Sequence, residues 1–316
     1  MEFKVLRTSD LSREQVVGIN DLFYRVFDKE RSVDEMLAKY EMNAFGYSYV
    51  SFFEDEGVIH GSVTFVPGYF MVNGVKKVFA YSIDSMVDKD YRDLFEIMEI
   101  TNNAYAHLKA EGVSFYFGYP NDNSYPFMTR AKLAYDIGKL DTYVLPYRIG
   151  GVKPGLKGLN WLSRGCSRVW CWLSGLLASQ QVASFAVHKD ESSFNGPRYR
   201  WFDDYGIVTI DDFTLYYRIV VHEHVRTAFI VDIDKKSARN FQRSVSYLLK
   251  HESSRFDIIL YVGHLPFGNT GLVKIPLKRA PKHFNFVGFA LAGEDMGVDM
   301  FDIANWDTNL SNYDLI

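Results

Sequence analysis

Val78-Phe-Ala-Tyr-Ser-Ile-Asp-Ser-Met-Val87 is rich in β-branched and aromatic residues and reads as a strand. Simple alternation puts Phe79, Tyr81, Ile83 and Val87 on one face, with Ala80, Ser82, Asp84 and Met86 on the other. Asp88-Lys89-Asp90 breaks the run. From Leu94 the apolar spacing becomes helical, with Leu94, Ile97, Ala104 and Leu108 on one side and Gly112 as the stop. Val113-Ser-Phe-Tyr-Phe-Gly-Tyr119 is a second strand, and Pro120-Asn-Asp-Asn-Ser-Tyr-Pro126 is dense in turn formers. A strand, a helical crossover and a second strand predict two parallel neighbours joined right-handedly. The helix N-terminus at the end of the first strand then offers backbone amides to a phosphate-bearing ligand.

Asp84-Ser-Met-Val-Asp-Lys-Asp-Tyr-Arg92, followed by Phe117-Gly-Tyr-Pro-Asn-Asp-Asn-Ser-Tyr125, resembles the core of the GNAT superfamily of acyl-CoA N-acyltransferases. In that family a "V-x-P-x-Y-R-G-x-G" turn holds the coenzyme A pyrophosphate, and a subgroup carries a "G-F-P-N-x-x-S" loop after the next strand. This chain has Asp93 and Phe95 where the turn's glycines stand, and Asp90 in the usual Gln/Arg place. The resemblance implies an acyl-CoA co-substrate. It places Ser85, Met86, Val87, Arg92, Asp93, Leu94, Phe95, Asn121, Asn123 and Ser124 against coenzyme A. It also makes Tyr125 a proton donor to the leaving thiolate. Four residues keep a second reading. Asn121, Asn123 and Ser124 equally suit caps of a short helix. Asp84 can orient an acceptor amine or pair with a buried basic group.

The 316 residues suit two domains better than one, and 47% hydrophobic with 16% aromatic residues allows large cores. A net charge of −4 argues against a nucleic-acid partner. Cys166 and Cys171 make neither a disulfide framework nor a zinc site, so no metal is expected and a reducing cytoplasm is the default compartment. The start, Met1-Glu-Phe-Lys-Val-Leu, has no charged and then apolar leader of the secretory kind.

Phe3 to Arg7 suits an edge strand, and Ser12 with Gln15 and Ser32 with Glu35 make capping boxes ahead of two helices. Tyr47–Phe53, Gly57–Val66 and Phe70–Val72 read as successive strands, with Asn73-Gly74 a hairpin turn. Tyr135 to Leu145 reads as the last strands of the first domain. The second half repeats the strand–helix–strand order in Arg226–Ile233, a helix carrying Ala238, Phe241, Val245, Leu248 and Leu249, and Phe256–Val262. Its turn, Asp234-Lys-Lys-Ser237, lacks glycine, so this copy is expected without coenzyme. The predicted fold class is α/β (α+β), with two GNAT-like domains, each a mixed, mostly antiparallel sheet flanked by helices. Residues 1–147 form the first, 148–184 a basic and apolar connector, and 185–316 the second. Asn305-Trp-Asp-Thr-Asn-Leu-Ser-Asn-Tyr-Asp314 resembles the tail of tandem members of the subgroup.

In the connector, Trp161, Leu162, Val169, Trp170, Leu173, Leu176 and Leu177 recur at helical spacing, which predicts an apolar stripe docked on a domain. Arg164 and Arg168 interrupt it, so it is a poor membrane span. Basic residues with tryptophans also fit contact of 158–178 with a membrane surface. His222-Glu-His224 has no apparent third ligand and reads as an exposed strand edge. Arg198, Tyr199, Arg200 and Trp201 suit either an anionic nucleotide or stacking at a domain boundary.

The resemblance implies an acyl-CoA-dependent N-acyltransferase acting on a nucleotide-linked amino sugar for a bacterial surface polysaccharide. A dTDP-linked 3-amino-3,6-dideoxyhexose is an example of the acceptor. The alternatives are an aminoacyl-tRNA-dependent transferase to a peptidoglycan precursor, or a binding protein that kept the fold and lost the cofactor.

Overall fold

The computed structural model describes residues 1–280 and 282–312, so Tyr313 and Asp314 of the predicted tail lie outside it. The chain opens with β1 (Glu2–Arg7), α1 (Arg13–Phe27), α2 (Val33–Glu41), β2 (Tyr49–Asp55), β3 (Val58–Val72) and β4 (Val75–Val87). Next come α3 (Leu94–Ala110), β5 (Phe115–Gly118), α4 (Ser124–Arg130), β6 (Tyr135–Pro146), the single turn α5 (Ile149–Val152) and α6 (Asn160–Leu177). The remainder holds β7 (Val187–Lys189), α7 (Glu191–Arg198), β8 (Tyr205–Ile210), β9 (Phe213–His222) and β10 (Val225–Ile233). It ends with α8 (Ala238–His251), β11 (Ile258–Gly263), β12 (Val273–Ile275) and β13 (Phe284–Ala290).

Local chemistry sets several of these boundaries. Ser12 and Ser32 close capping boxes with Gln15 and Glu35 at the starts of α1 and α2. Asn73 and Gly74, at φ 49° and 80°, form the two-residue turn between β3 and β4. Gly112 at φ 80° follows α3. The segment read as two strands, Gly57–Val66 and Phe70–Val72, is one long strand, β3.

The chain divides into two units, neither continuous in sequence. The first holds Met1–Gly138, Ala186–Trp201 and Asn285–Asn305, and the second Lys139–Phe185, Phe202–Phe284 and the residues from Trp306 on. The units therefore cross the sequence divisions at 147 and 184. In the first unit the strand order is β1-β2-β3-β4-β5-β13, and β7 also pairs with β3. Only β4 and β5 run parallel there. In the second the order is β6-β11-β10-β9-β8, with β12 on β6, and among the described residues only β10 and β11 run parallel. Tyr135–Leu145 thus does not end the first sheet. As β6 it lies antiparallel to β11, and β13 takes the place beside β5. Strand pattern shows which face of a strand is buried but not which neighbour it pairs with.

The β3–β4 ladder slips between Ser62↔Met86 and Thr64↔Ile83. Val63 alone then faces Asp84 and Ser85, a β-bulge with its extra residue on β4. Asp84 takes φ 47° there. Paired residues share a face, and Ser62 and Thr64 are two apart, so Met86 falls with Ile83 and Tyr81. Val87 shifts to the other face, where it packs with Ala80, Val63 and Phe65 against Ile100, Ala104 and Leu108 of α3. Alternation alone had placed both residues the opposite way. Leu94, expected on the apolar side of α3, is exposed.

Gly61 sits beside this slip, and a Cβ on it would lie 2.1 Å from the ring of the fully buried Phe53. Gly61→Ala should therefore destabilise the fold by about 1–3 kcal/mol through overpacking. A lowered urea midpoint checks this; an unchanged midpoint would mean that Phe53 has room to move.

Candidate active site

The parallel pairing of β4 with β5 covers Phe79↔Phe115 to Tyr81↔Phe117 and then stops. β4 runs on to Val87 with β3 as its ladder partner. Where the strands part, Ser82 Oγ and Tyr116 OH lie 3.1 Å apart. Burial pushes the Tyr116 phenol up to about 12, against the pull of its hydroxyl partners Ser82 and Tyr105. Gly118 ends β5 at this point. A Cβ there would come within 2.6 Å of Ser82 Oγ and 2.9 Å of Tyr116 OH, so the close approach needs glycine. Neither Ser82 nor Tyr116 was singled out from sequence, because each reads as an ordinary member of a strand.

The predicted residues Asp84 to Val87 occupy the free-running end of β4. Asp84 is almost fully buried and accepts hydrogen bonds from the Arg31 guanidinium, from Lys39 Nζ at 2.9 Å and from Tyr40 OH at 2.9 Å. Burial raises its pKa, but Lys39 and Arg31 outweigh that and hold the carboxyl below its ordinary value. Of the two sequence readings, pairing with basic groups is the one seen, with Arg31 and Lys39 part-buried. Ser85 is exposed and the Met86 side chain is buried.

The turn after β4 is organised by Asp88 rather than by glycine. Its carboxylate accepts from Arg25 Nη2 at 2.9 Å and lies 2.9 Å from His60 Nδ1. Tyr91 stacks on His60 with ring centroids 4.0 Å apart. Arg92 Nε donates to the Val87 carbonyl at 2.9 Å, and among the described residues no ion pair joins Arg92 to Asp93. Asp93 is the N-cap of α3 in extended conformation, without a side-chain capping bond. Leu94 and Phe95 are exposed in the first turn.

In the loop after β5, Asn121 Oδ1 accepts from the amides of Asn123 and Ser124 at 3.0 and 2.9 Å. Its carbonyl accepts from Tyr125 N at 2.9 Å. The capping reading of Asn121 is therefore present, whereas Asn123, the N-cap residue of α4, makes no side-chain capping bond. Tyr125 OH donates to Asp136 Oδ1 at 2.9 Å. Partial burial, that hydrogen bond and the Asp136 charge raise its pKa, so the phenol keeps its proton at neutral pH. Asn285 Nδ2 of β13 fastens the same loop through the Pro120 carbonyl at 3.2 Å and Asp122 Oδ1 at 3.1 Å. Sequence distance hid that contact.

The corresponding turn of the second unit is filled by its own chain. Lys236 is buried between Asp232 and Asp307 at 2.7 and 2.9 Å. At the start of α8, Arg239 N donates to the Ser179 carbonyl and Asn240 N to Ser237 Oγ. These amides are spent within the fold.

Glu223 and His224, at φ 47° and 68°, make the two-residue turn between β9 and β10, so the segment is a hairpin tip and not a strand edge. Among the described residues no three His, Cys, Asp or Glu side chains group as a metal site. Arg198 is buried over the Trp201 ring at 4.4 Å, and Trp201 Nε1 donates to the Met42 carbonyl at 3.0 Å. Together with Tyr69 and Tyr81 they line a small cleft in the first unit.

No family model matches the chain, and no curated protein matches it in sequence. Solved structures do. A conserved protein of unknown function from Enterococcus faecalis V583, described as a probable N-acyltransferase, is 12% identical with a TM-score of 0.57. The match covers 92% of this chain and 73% of that one. A GCN5-related N-acetyltransferase from Anabaena variabilis ATCC 29413 gives the same identity, TM-score and coverage. Eis1 from Mycobacterium abscessus is 11% identical at a TM-score of 0.54, over 92% of this chain and 74% of its own. These likenesses establish a GNAT-type fold, a mixed α/β architecture of mostly antiparallel sheet flanked by helices.

Removing the Asp84 charge should take the counter-ion from the part-buried Arg31 guanidinium and one anionic partner from Lys39. Asp84→Asn is expected to cost about 3–5 kcal/mol at neutral pH. The folded carboxyl titrates below its ordinary 3.8, so its stabilisation is complete above that value and is lost as pH falls through the lower folded value. Denaturation series should show the gap between wild type and variant closing under acid conditions. A gap that stays constant with pH would refute the ionic account.

Proposed function

We propose that the first unit binds acyl-CoA where β4 and β5 part and transfers the acyl group to an amine. The observation that carries this reading is the end of the parallel pairing at Tyr81↔Phe117 while β4 continues to Val87 and leads into α3. An extended pantetheine arm can pair with the open side of that strand. The pyrophosphate then meets the backbone amides of Arg92 to Ile97, which need no particular side chain. The neutral acceptor amine attacks the thioester carbonyl, whose oxygen is polarised by the amide of Met86 or Val87. The C–S bond breaks, the amine's extra proton passes to solvent, and the thiolate leaves with a proton from Tyr125, which regains one from solvent. Holding amine and thioester together supplies much of the acceleration. Asp84, ionised and held by two cations, acts as a fixed negative charge rather than as a base.

The acceptor in this reading is the amino group of a nucleotide-linked sugar. That rests on the resemblance of the Gly118-Tyr-Pro-Asn121 loop and the Asn305-Trp-Asp307 element to surface-polysaccharide enzymes. A second reading, a binding protein without turnover, is favoured by Asp93 and Phe95 in place of glycines.

Calorimetric titration with acetyl-CoA and longer acyl-CoAs separates the two. The proposal expects saturable binding, and Asp93→Gly should tighten it by about 0.3–1 kcal/mol by removing a carboxylate from the phosphate site. No heat at millimolar ligand would favour the second reading. With an acceptor in hand, Tyr125→Phe should lower kcat roughly a hundredfold with acyl-CoA affinity nearly unchanged. Wild-type turnover in that variant would remove Tyr125 from the mechanism.

A further inference from the structure

α6 is docked with its faces reversed. The side turned into the second unit is a stripe of small and polar residues at spacings of three and four: Asn160, Ser163, Ser167, Cys171 and Ser174. Ser163 and Ser167 Oγ donate to the Tyr147 and Pro146 carbonyls at 2.9 and 3.0 Å. Gln242 Nε2 of α8 donates to the Cys171 carbonyl at 3.1 Å. Close packing backs these bonds, since a Cβ on Gly175 would lie 2.9 Å from the Gln242 side chain. The large apolar residues, expected to form the docked stripe, point the other way. Trp161 and Trp172 are 72% and 63% exposed, and Leu176 and Leu177 65% and 72%. Leu162, Val169, Trp170 and Leu173 are exposed with them. A contiguous apolar face of this kind marks an interaction surface rather than ordinary surface.

We propose that this face of α6 lies on the surface of an anionic phospholipid bilayer. Charge is the first argument. Residues 142–188 contain no Asp or Glu, while Lys153, Lys157, Arg164 and Arg168 are basic, the fifth cation, Arg148, being paired with Asp257. Arg164 and Arg168, one helical turn apart, border the apolar face, and the Arg168 guanidinium donates to Tyr147 OH at 3.0 Å from the docked side. A second copy of the chain would bring the same acid-free, basic surface against itself, with no counter-charge in the segment. An anionic bilayer supplies that counter-charge. Composition is the second argument, because three tryptophans beside leucines suit the headgroup boundary, where a ring is half buried. Among the described residues no helix is long and apolar enough to cross a membrane, so α6 lies along the surface.

The test is co-sedimentation of the full chain with vesicles of phosphatidylcholine alone, and of phosphatidylcholine with phosphatidylglycerol in equal parts. The proposal expects binding to the mixed vesicles that weakens as salt rises. Lys153→Glu and Lys157→Glu should each weaken it by about fivefold or more. The triple variant Trp161→Ser, Trp172→Ser, Leu176→Ser should abolish it, with circular dichroism and melting temperature unchanged. No binding to either vesicle by the folded chain would overturn the proposal, as would equal binding to both. A stable dimer that the triple variant disperses would also overturn it, because a second copy would then cover the face.

Discussion

A buried carboxylate occupies the one irregular point of the strand that leads into the candidate site. Asp84 takes a left-handed φ at the bulge of β4, and the Arg31 guanidinium and Lys39 ammonium close on it from the α1–α2 segment. An aspartate tolerates that conformation better than a branched residue would. Its charge in turn pairs with both part-buried cations. The extra residue moves Met86 and Val87 to opposite faces from those that simple alternation assigns, so that Val87 seats against the core under α3. The position of the helix start relative to the open strand edge follows from that single insertion.

The second unit contains the same device. The β9–β10 ladder slips between Ile230 and Asp232, and Asp232 is fully buried against Lys236 and Asn309. Its turn, however, is occupied by Lys236 and by the carbonyl of Ser179, whereas the turn of the first unit is shaped by Asp88, Arg25 and His60 around an exposed first helical turn. The two strand–helix–strand motifs thus share a backbone plan and differ in what remains available to a ligand. That difference supports the proposal that acyl-CoA binds in the first unit alone.

Much of this architecture was legible in the sequence, because short-range chemistry specifies it. The capping boxes at Ser12 and Ser32, the Asn73-Gly74 turn and both parallel strand–helix–strand motifs follow from residues close together in the chain. What was not legible depends on distant partners. Nothing in the pattern of Tyr135–Pro146 reveals that it pairs with β11, or that β13 flanks β5. A one-residue bulge inverts strand faces with an aspartate, not a glycine, in its left-handed position. The apolar residues of α6 have an unambiguous helical period, yet period does not say whether a stripe faces the fold or leaves it exposed. In the candidate site the residue types were readable, but their engagements were not. Asn121 holds the start of α4, Tyr125 is tied to Asp136, and Asp84 is locked between cations that lie more than forty residues away in the chain.

The most direct measurement is amide hydrogen–deuterium exchange with and without coenzyme A, followed peptide by peptide. Bound ligand that pairs with the open strand edge and the helix start must slow exchange at those amides. Protection is expected to be confined to Ser82–Val87 and Arg92–Ile97, with Asp234–Asn240 unchanged. Protection of Asp234–Asn240, with none at the first unit's strand and helix start, would contradict it.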